Sequence, residues 1–134
     1  MSDSDKFKPQ IGAIEWYDLT VKNADEVKDF YSAVIGWQSS PVEMSDGDGN
    51  YQDFNIIFPD TKETITGICH ARGGNSNIPA QWLMYVRVKD VAESVQTCIQ
   101  KGGLVLEGPN TMGDSLFCII QDPEGAILAL ISGS

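Results

Sequence analysis

The sequence predicts a single α+β domain, in which two tandem β-α-β-β-β modules form a curved, partly open eight-stranded sheet around a cleft. Three observations predict it. The chain repeats itself at a nearly constant offset. Each half holds one stretch of helical apolar spacing between capping signals. The remaining apolar runs are short and are separated by Gly, Pro and Asp turns.

The repeat sets Val21-Lys22-Asn23 on Val88-Lys89-Asp90, an offset of 67 that also pairs Glu26 with Glu93 and Gly36 with Gly103. Further on, an offset of 63 lays Phe54-Asn-Ile-Ile57 on Phe117-Cys-Ile-Ile120. Both runs lead into turns, Phe58-Pro59-Asp60 and Asp122-Pro123-Glu124-Gly125, and then into apolar strands, Ile65–Cys69 and Ile127–Ile131. The expected organisation is a tail over 1–10, a first module over 11–72, a linker over 73–80 and a second module over 81–134.

The first strand of each module is expected over Ala13–Val21 and Leu83–Val88. In the first helix Val27, Phe30, Tyr31, Val34 and Ile35 recur at helical spacing. Asn23 is its N-cap, Glu26 the capping-box partner and Gly36 the C-cap. In the second, Asp90 and Glu93 repeat the cap, Val91, Val95, Cys98 and Ile99 form the stripe, and Gly102-Gly103 stop it. The polar, Gly-rich segments Met44–Asn50 and Gly73–Pro79 read as loops.

Strand residues alternate between faces. Tyr17, Leu19 and Val21 are expected beneath the first helix, and Met84, Val86 and Val88 beneath the second. Trp16, Asp18 and Thr20 then face away from the helices, as do Leu83, Tyr85 and Arg87. That averted face mixes aromatic, aliphatic and charged groups, the make-up of a small-ligand site. The competing reading is that these residues fill the interior or meet another subunit, with Asp18 and Arg87 as an ion pair.

Composition narrows the function. The chain has 134 residues, 42% of them hydrophobic, enough for one core. Acids outnumber bases 19 to 9, for a net charge of −10, which argues against nucleic acid and anionic membrane surfaces as partners. No apolar run approaches the roughly 20 residues that span a bilayer. Without an apolar leader region near Met1, the expected compartment is the cytoplasm. Cys69, Cys98 and Cys118 are odd in number, lack Cys-x-x-Cys spacing and sit among apolar neighbours, so they read as buried thiols. Nucleophile-elbow, phosphate-loop and His-Glu-x-x-His motifs do not occur.

The residues Trp16-Tyr-Asp-Leu19, Phe30-Tyr31, Gly36-Trp37, Trp82-Leu-Met-Tyr85, Gly102-Gly103 and Asp122-Pro-Glu-Gly125 resemble the glyoxalase / bleomycin-resistance / extradiol-dioxygenase superfamily, the vicinal oxygen chelate proteins. The resemblance covers about Ile11 to Ile131. It implies paired β-α-β-β-β modules, a homodimer and, in the metal enzymes, His or Glu ligands at four places. Those places fall on Trp16, Gly67, Leu83 and Ala129, none of which offers a metal donor. Glu15 and His70 have the opposite parity.

The expectation is therefore a metal-free protein without cofactor that binds a small molecule through Trp16, Asp18, Thr20, Gly67, Leu83, Tyr85, Arg87 and Ala129. Trp16 and Tyr85 would stack on the ligand and Asp18 would meet a positive group. The alternatives are a lyase or isomerase of the glyoxalase type, using a divergent metal site or Asp18 or Tyr85 as acid–base group, and a purely structural or subunit-interaction role.

Overall fold

The computed structural model describes residues 10–133. The expected tail over 1–10 lies almost wholly outside them. Among the described residues there are eight strands, in a mixed sheet not closed into a barrel, and two α-helices. In chain order these are β1 (Ile14–Val21), α1 (Ala24–Ile35), β2 (Gln38–Asp46), β3 (Gly49–Ile57), β4 (Thr64–His70), β5 (Trp82–Arg87), α2 (Val91–Gln100), β6 (Leu104–Met112), β7 (Ser115–Gln121) and β8 (Ile127–Gly133). No described helix is long and apolar enough to cross a membrane. The described residues divide into two compact units, Tyr17–Leu83 and a second made of residues 10–16 with 84–133.

In the first unit the strand order is β2-β3-β4-β1, with β4 parallel to β1 and the other pairs antiparallel. Helix α1 starts where the sequence places it. The Asn23 side chain accepts the Glu26 backbone N–H at 3.1 Å, and its amide donates to the Glu26 carboxylate at 2.9 Å. Gly36 ends the helix in the left-handed region (φ 94°), where a side chain would be strained, and its N–H closes on Ser32. Leu19, Ala24, Phe54, Ile56 and Ile68 form the core, with Val27, Tyr31, Trp37 and Trp82 packed on it.

The apolar stripe of α1 is wider than the surface that the sheet covers. Val27 and Tyr31 reach the core, whereas Phe30, Val34 and Ile35 stay exposed. The Met44–Asn50 segment is not a loop. β2 and β3 pair straight through it, and Asp46↔Gly49 closes a two-residue turn. Its polarity reflects an edge hairpin exposed to solvent, a pattern that hydropathy alone mistakes for a connection. Gly73–Asn75 is a single 3₁₀ turn, followed by further turn residues.

In the second unit β5 runs parallel to β8, followed by β7 and β6, both antiparallel. Asp90 caps α2 through the N–H groups of Ala92 (2.9 Å) and Glu93 (3.3 Å). The Val91 N–H donates to the buried Ser132 hydroxyl at 3.0 Å. Val91, Cys118 and Leu130 are the core here, with Val86, Val88 and Val95 against them, while Ile99 is exposed. Gly103 is required by space: a Cβ would lie 2.6 Å from Cys98 Sγ and 2.9 Å from the Gln121 carbonyl.

The register within each unit refines the repeat. Asp18 pairs with Gly67, and Tyr85 with Ala129, so offsets of 67 and 62 relate the same strand pair in both units. Phe54 pairs with Ile68, and Cys118 with Leu130. The equivalent of Phe54 is therefore Cys118, at an offset of 64, and not Phe117. The sequence match at 63 is one residue out of register. A one-residue slip exchanges faces: Phe54 packs in the helix-side core, whereas Phe117 contacts Tyr85 on the opposite face.

Candidate functional site

Both units direct their apolar, helix-side residues into a core, so chemistry is sought on the averted faces. In the first unit that face carries Asp18 and Thr20 on β1, Gly67 and Cys69 on β4, and Asp53 and Asn55 on β3. Thr20 and Asp53 are buried polar residues. The Cys69 thiol hydrogen-bonds Asp53 and is pushed up to about 12, first by burial and then by the carboxylates of Asp53 and Asp18. At neutral pH it keeps its proton, so it is a hydrogen-bond donor and not a nucleophile.

Asp53 also accepts the His70 backbone N–H at 2.8 Å, and His70 Nδ1 lies 3.3 Å from the same oxygen. His70 Nε2 is 3.3 Å from Asp25 on α1. The histidine, 12% exposed at its side chain, is thus held between two carboxylates. Nearby, the Arg72 guanidinium lies 4.1 Å from the Tyr51 ring centre and pairs with Asp46 at 3.0 Å.

The second unit's averted face is apolar except for Arg87. Tyr85, Phe117, Ile119, Ala129 and Ile131 are all buried, and the Tyr85 and Phe117 rings meet at 6.4 Å. Arg87 is engaged by Glu15 through two hydrogen bonds, Nε at 2.8 Å and a terminal nitrogen at 2.6 Å. The guanidinium holds the Glu15 carboxyl below its ordinary range. The competing reading of the sequence made Asp18 and Arg87 a paired or solvated ion pair; Arg87 is engaged by Glu15.

The eight residues expected to bind a ligand therefore divide. Asp18, Thr20 and Gly67 come together in the first unit, where Leu83 is completely buried. Tyr85 and Ala129 are neighbours in the second, 5% and 0% exposed, with Arg87 beside them and Trp16 half-buried on β1. None of the eight lines the aromatic cavity of the first unit, about 260 Å³, walled by Tyr17, Trp37, Ile65, Thr66 and Trp82. Sequence reasoning missed Asp53 because the β3 repeat was one residue out of register, and it took Cys69 on β4 only as a buried thiol. It missed the cavity because Trp37 and Trp82 served only as family marks.

A family model of the Glyoxalase/Bleomycin resistance protein/Dioxygenase superfamily matches residues 13–130. The chain belongs to this superfamily. It is similar to a putative glyoxylase, CFP32, of Mycobacterium bovis and to the protein of that name in Mycobacterium tuberculosis. Each is 25% identical over 123 residues, spanning 91% of this chain and 44% of the relative. The chain thus spans less than half the length of these relatives. Among solved structures, a methylmalonyl-CoA epimerase in complex with methylmalonyl-CoA and NH4+ superposes with a TM-score of 0.52 at 14% identity, covering 93% of this chain and 96% of that one. A methylmalonyl-CoA epimerase from Mycobacterium tuberculosis gives 0.52 at 12% identity, covering 95% and 91%. At such identities the likeness is one of fold.

The superfamily member described here carries an indole, a hydrogen, an isobutyl and a methyl group at Trp16, Gly67, Leu83 and Ala129, the places where the resemblance puts metal ligands. That donor set does not fit a divalent ion. Among the described residues, His, Cys, Asp and Glu side chains nowhere gather in threes suited to holding a metal. Glu15 is committed to Arg87, and His70 is held by Asp53 and Asp25.

Proposed function

We propose that this chain is a metal-free small-molecule binding protein whose ligand is met by the averted face of the first unit, with Asp18 as its anionic contact. One observation carries the reading: Asp18 and Asp53 share that face with a thiol held protonated between them, where the equivalent positions of the second unit are Tyr85 and Phe117. Two carboxylates beside a buried donor suit a ligand with a positive group or several N–H donors. A thermal-shift screen of cationic and neutral compounds should find stabilising hits, mostly cationic. Asp18→Asn should weaken them roughly tenfold, the loss of one charge-assisted hydrogen bond. Hits indifferent to Asp18→Asn would overturn the reading. Purified protein should carry no stoichiometric Zn, Ni, Fe or Mn by elemental analysis.

A glyoxalase-type activity is the second reading, favoured by the name of the mycobacterial relatives. Asp18 and Tyr85 remain its candidate acid–base groups. Turnover of methylglyoxal and glutathione, with and without added Ni²⁺ or Zn²⁺, separates the two; no turnover is expected.

A further inference from the structure

A different part of the first unit holds a cavity with aromatic walls. Tyr17, Trp37 and Trp82 surround the 260 Å³ cavity together with Ile65 and Thr66. The Trp37 and Trp82 rings lie 6.0 Å apart with planes inclined by 71°, so they form two walls of a corner. Two polar groups in the lining are already engaged. The Thr66 hydroxyl donates to the Tyr17 carbonyl, and Trp82 Nε1–H donates to the Tyr31 hydroxyl at 3.0 Å. This second bond also fixes the Trp82 ring.

These facts restrict the ligand. A primary ammonium or guanidinium entering the corner would leave water and find few acceptors for its N–H groups, at a cost. A quaternary ammonium has no N–H to satisfy, and its charge is attracted to aromatic rings such as the two that meet here at 71°. The chain's net charge of −10 favours a cation over a neutral group of the same shape. The volume is below the roughly 300–1,000 Å³ of sites for drug-sized ligands, so the occupant is a small headgroup.

We infer that Tyr17, Trp37 and Trp82 form an aromatic cage for a quaternary ammonium headgroup. It shares no residue with the acidic face proposed above. Choline and tetramethylammonium chloride should each give a saturable change in tryptophan fluorescence. The neutral isostere 3,3-dimethyl-1-butanol should bind about fivefold to tenfold more weakly. That gap should narrow between roughly 0.01 M and 1 M salt, as the Debye length falls from about 30 Å to 3 Å. Trp37→Leu should abolish the choline response. Tyr17→Leu, at a strand position 47% exposed and so tolerant of change, should weaken it about threefold while circular dichroism stays native. Equal affinity for choline and its isostere, no saturable response, or a response unchanged in folded Tyr17→Leu would each overturn the cage.

Discussion

The two units share a topology and a strand register but differ on the face turned away from their helices. At equivalent positions the first presents Asp18, Thr20, Asp53, Asn55, Gly67 and Cys69, and the second Tyr85, Arg87, Phe117, Ile119, Ala129 and Ile131. Their helix sides changed much less, with Leu19, Phe54 and Ile68 in one and Val86, Cys118 and Leu130 in the other. The lesson is physical. Burial of the helix side drives each module to fold, because apolar area removed from water is the main favourable term. The averted side is free to diverge, toward packing in one copy and toward buried polar groups in the other.

The largest expected effect tests whether the second face is structural. Phe117→Ala should cost about 3–5 kcal/mol, the range for deleting a buried aromatic ring and leaving a cavity. Asp53→Ala, at the equivalent position, leaves the His70 N–H and the Cys69 thiol without their acceptor and should cost about 1–3 kcal/mol. Urea unfolding with a common m-value measures both. Equal costs would break the contrast.

The thiols provide a second test. Burial and two carboxylates raise Cys69 from 9.0 to about 12, whereas burial and Cys98 raise Cys118 to about 11. Below pH 9 either thiol is protonated both folded and unfolded, so its contribution is fully present. Between 9 and the raised value the unfolded chain loses a proton that the folded chain keeps. Stability then falls by about 1.4 kcal/mol per pH unit for each thiol. Cys69→Ser should remove one thiol's share of that alkaline loss. Asp53→Asn should bring the end of the Cys69 limb to lower pH and leave the Cys118 limb in place. Melts over roughly pH 8 to 12 would read this out, and an Asp53→Asn protein with an unchanged profile would show that burial and Asp18, without Asp53, set the Cys69 value.

Most of the fold was legible because it rests on local signals. Asn23, Gly36 and Asp90 act as caps through their own backbone or side-chain bonds, and the apolar parity of Leu19 and Val21 or Val86 and Val88 reports the helix side directly. The β3 to β7 equivalence was not legible. Phe54 and Phe117 look alike in sequence, but pairing register is set by neighbouring strands, and Ile68 and Leu130 place these two rings on opposite faces. Placement on the averted face was legible only where parity suffices, as for Asp18 and Thr20. The contact of Asp53 with Cys69 and the corner of Trp37 and Trp82 join residues far apart in the chain, which periodicity does not relate.

The smallest expected effect concerns the position where the second face keeps a charge. Thr20 is buried in the first unit, while its counterpart Arg87 holds Glu15 through two bonds at 2.8 and 2.6 Å. The side chains remain 15% and 29% exposed, for Arg87 and Glu15, so water screens the pair. Glu15→Gln should cost about 0.2–1 kcal/mol, the range for such pairs. The sign follows from the lowered carboxyl: its contribution is complete above the ordinary value of 4.5 and is lost as pH falls through the depressed one. The difference between wild type and Glu15→Gln should therefore vanish in acid and shrink in high salt. No difference even at neutral pH and low salt would mean that Glu15 and Arg87 stabilise the strands by packing of their aliphatic stems, which Gln retains, making even this charged position part of the second unit's apolar face.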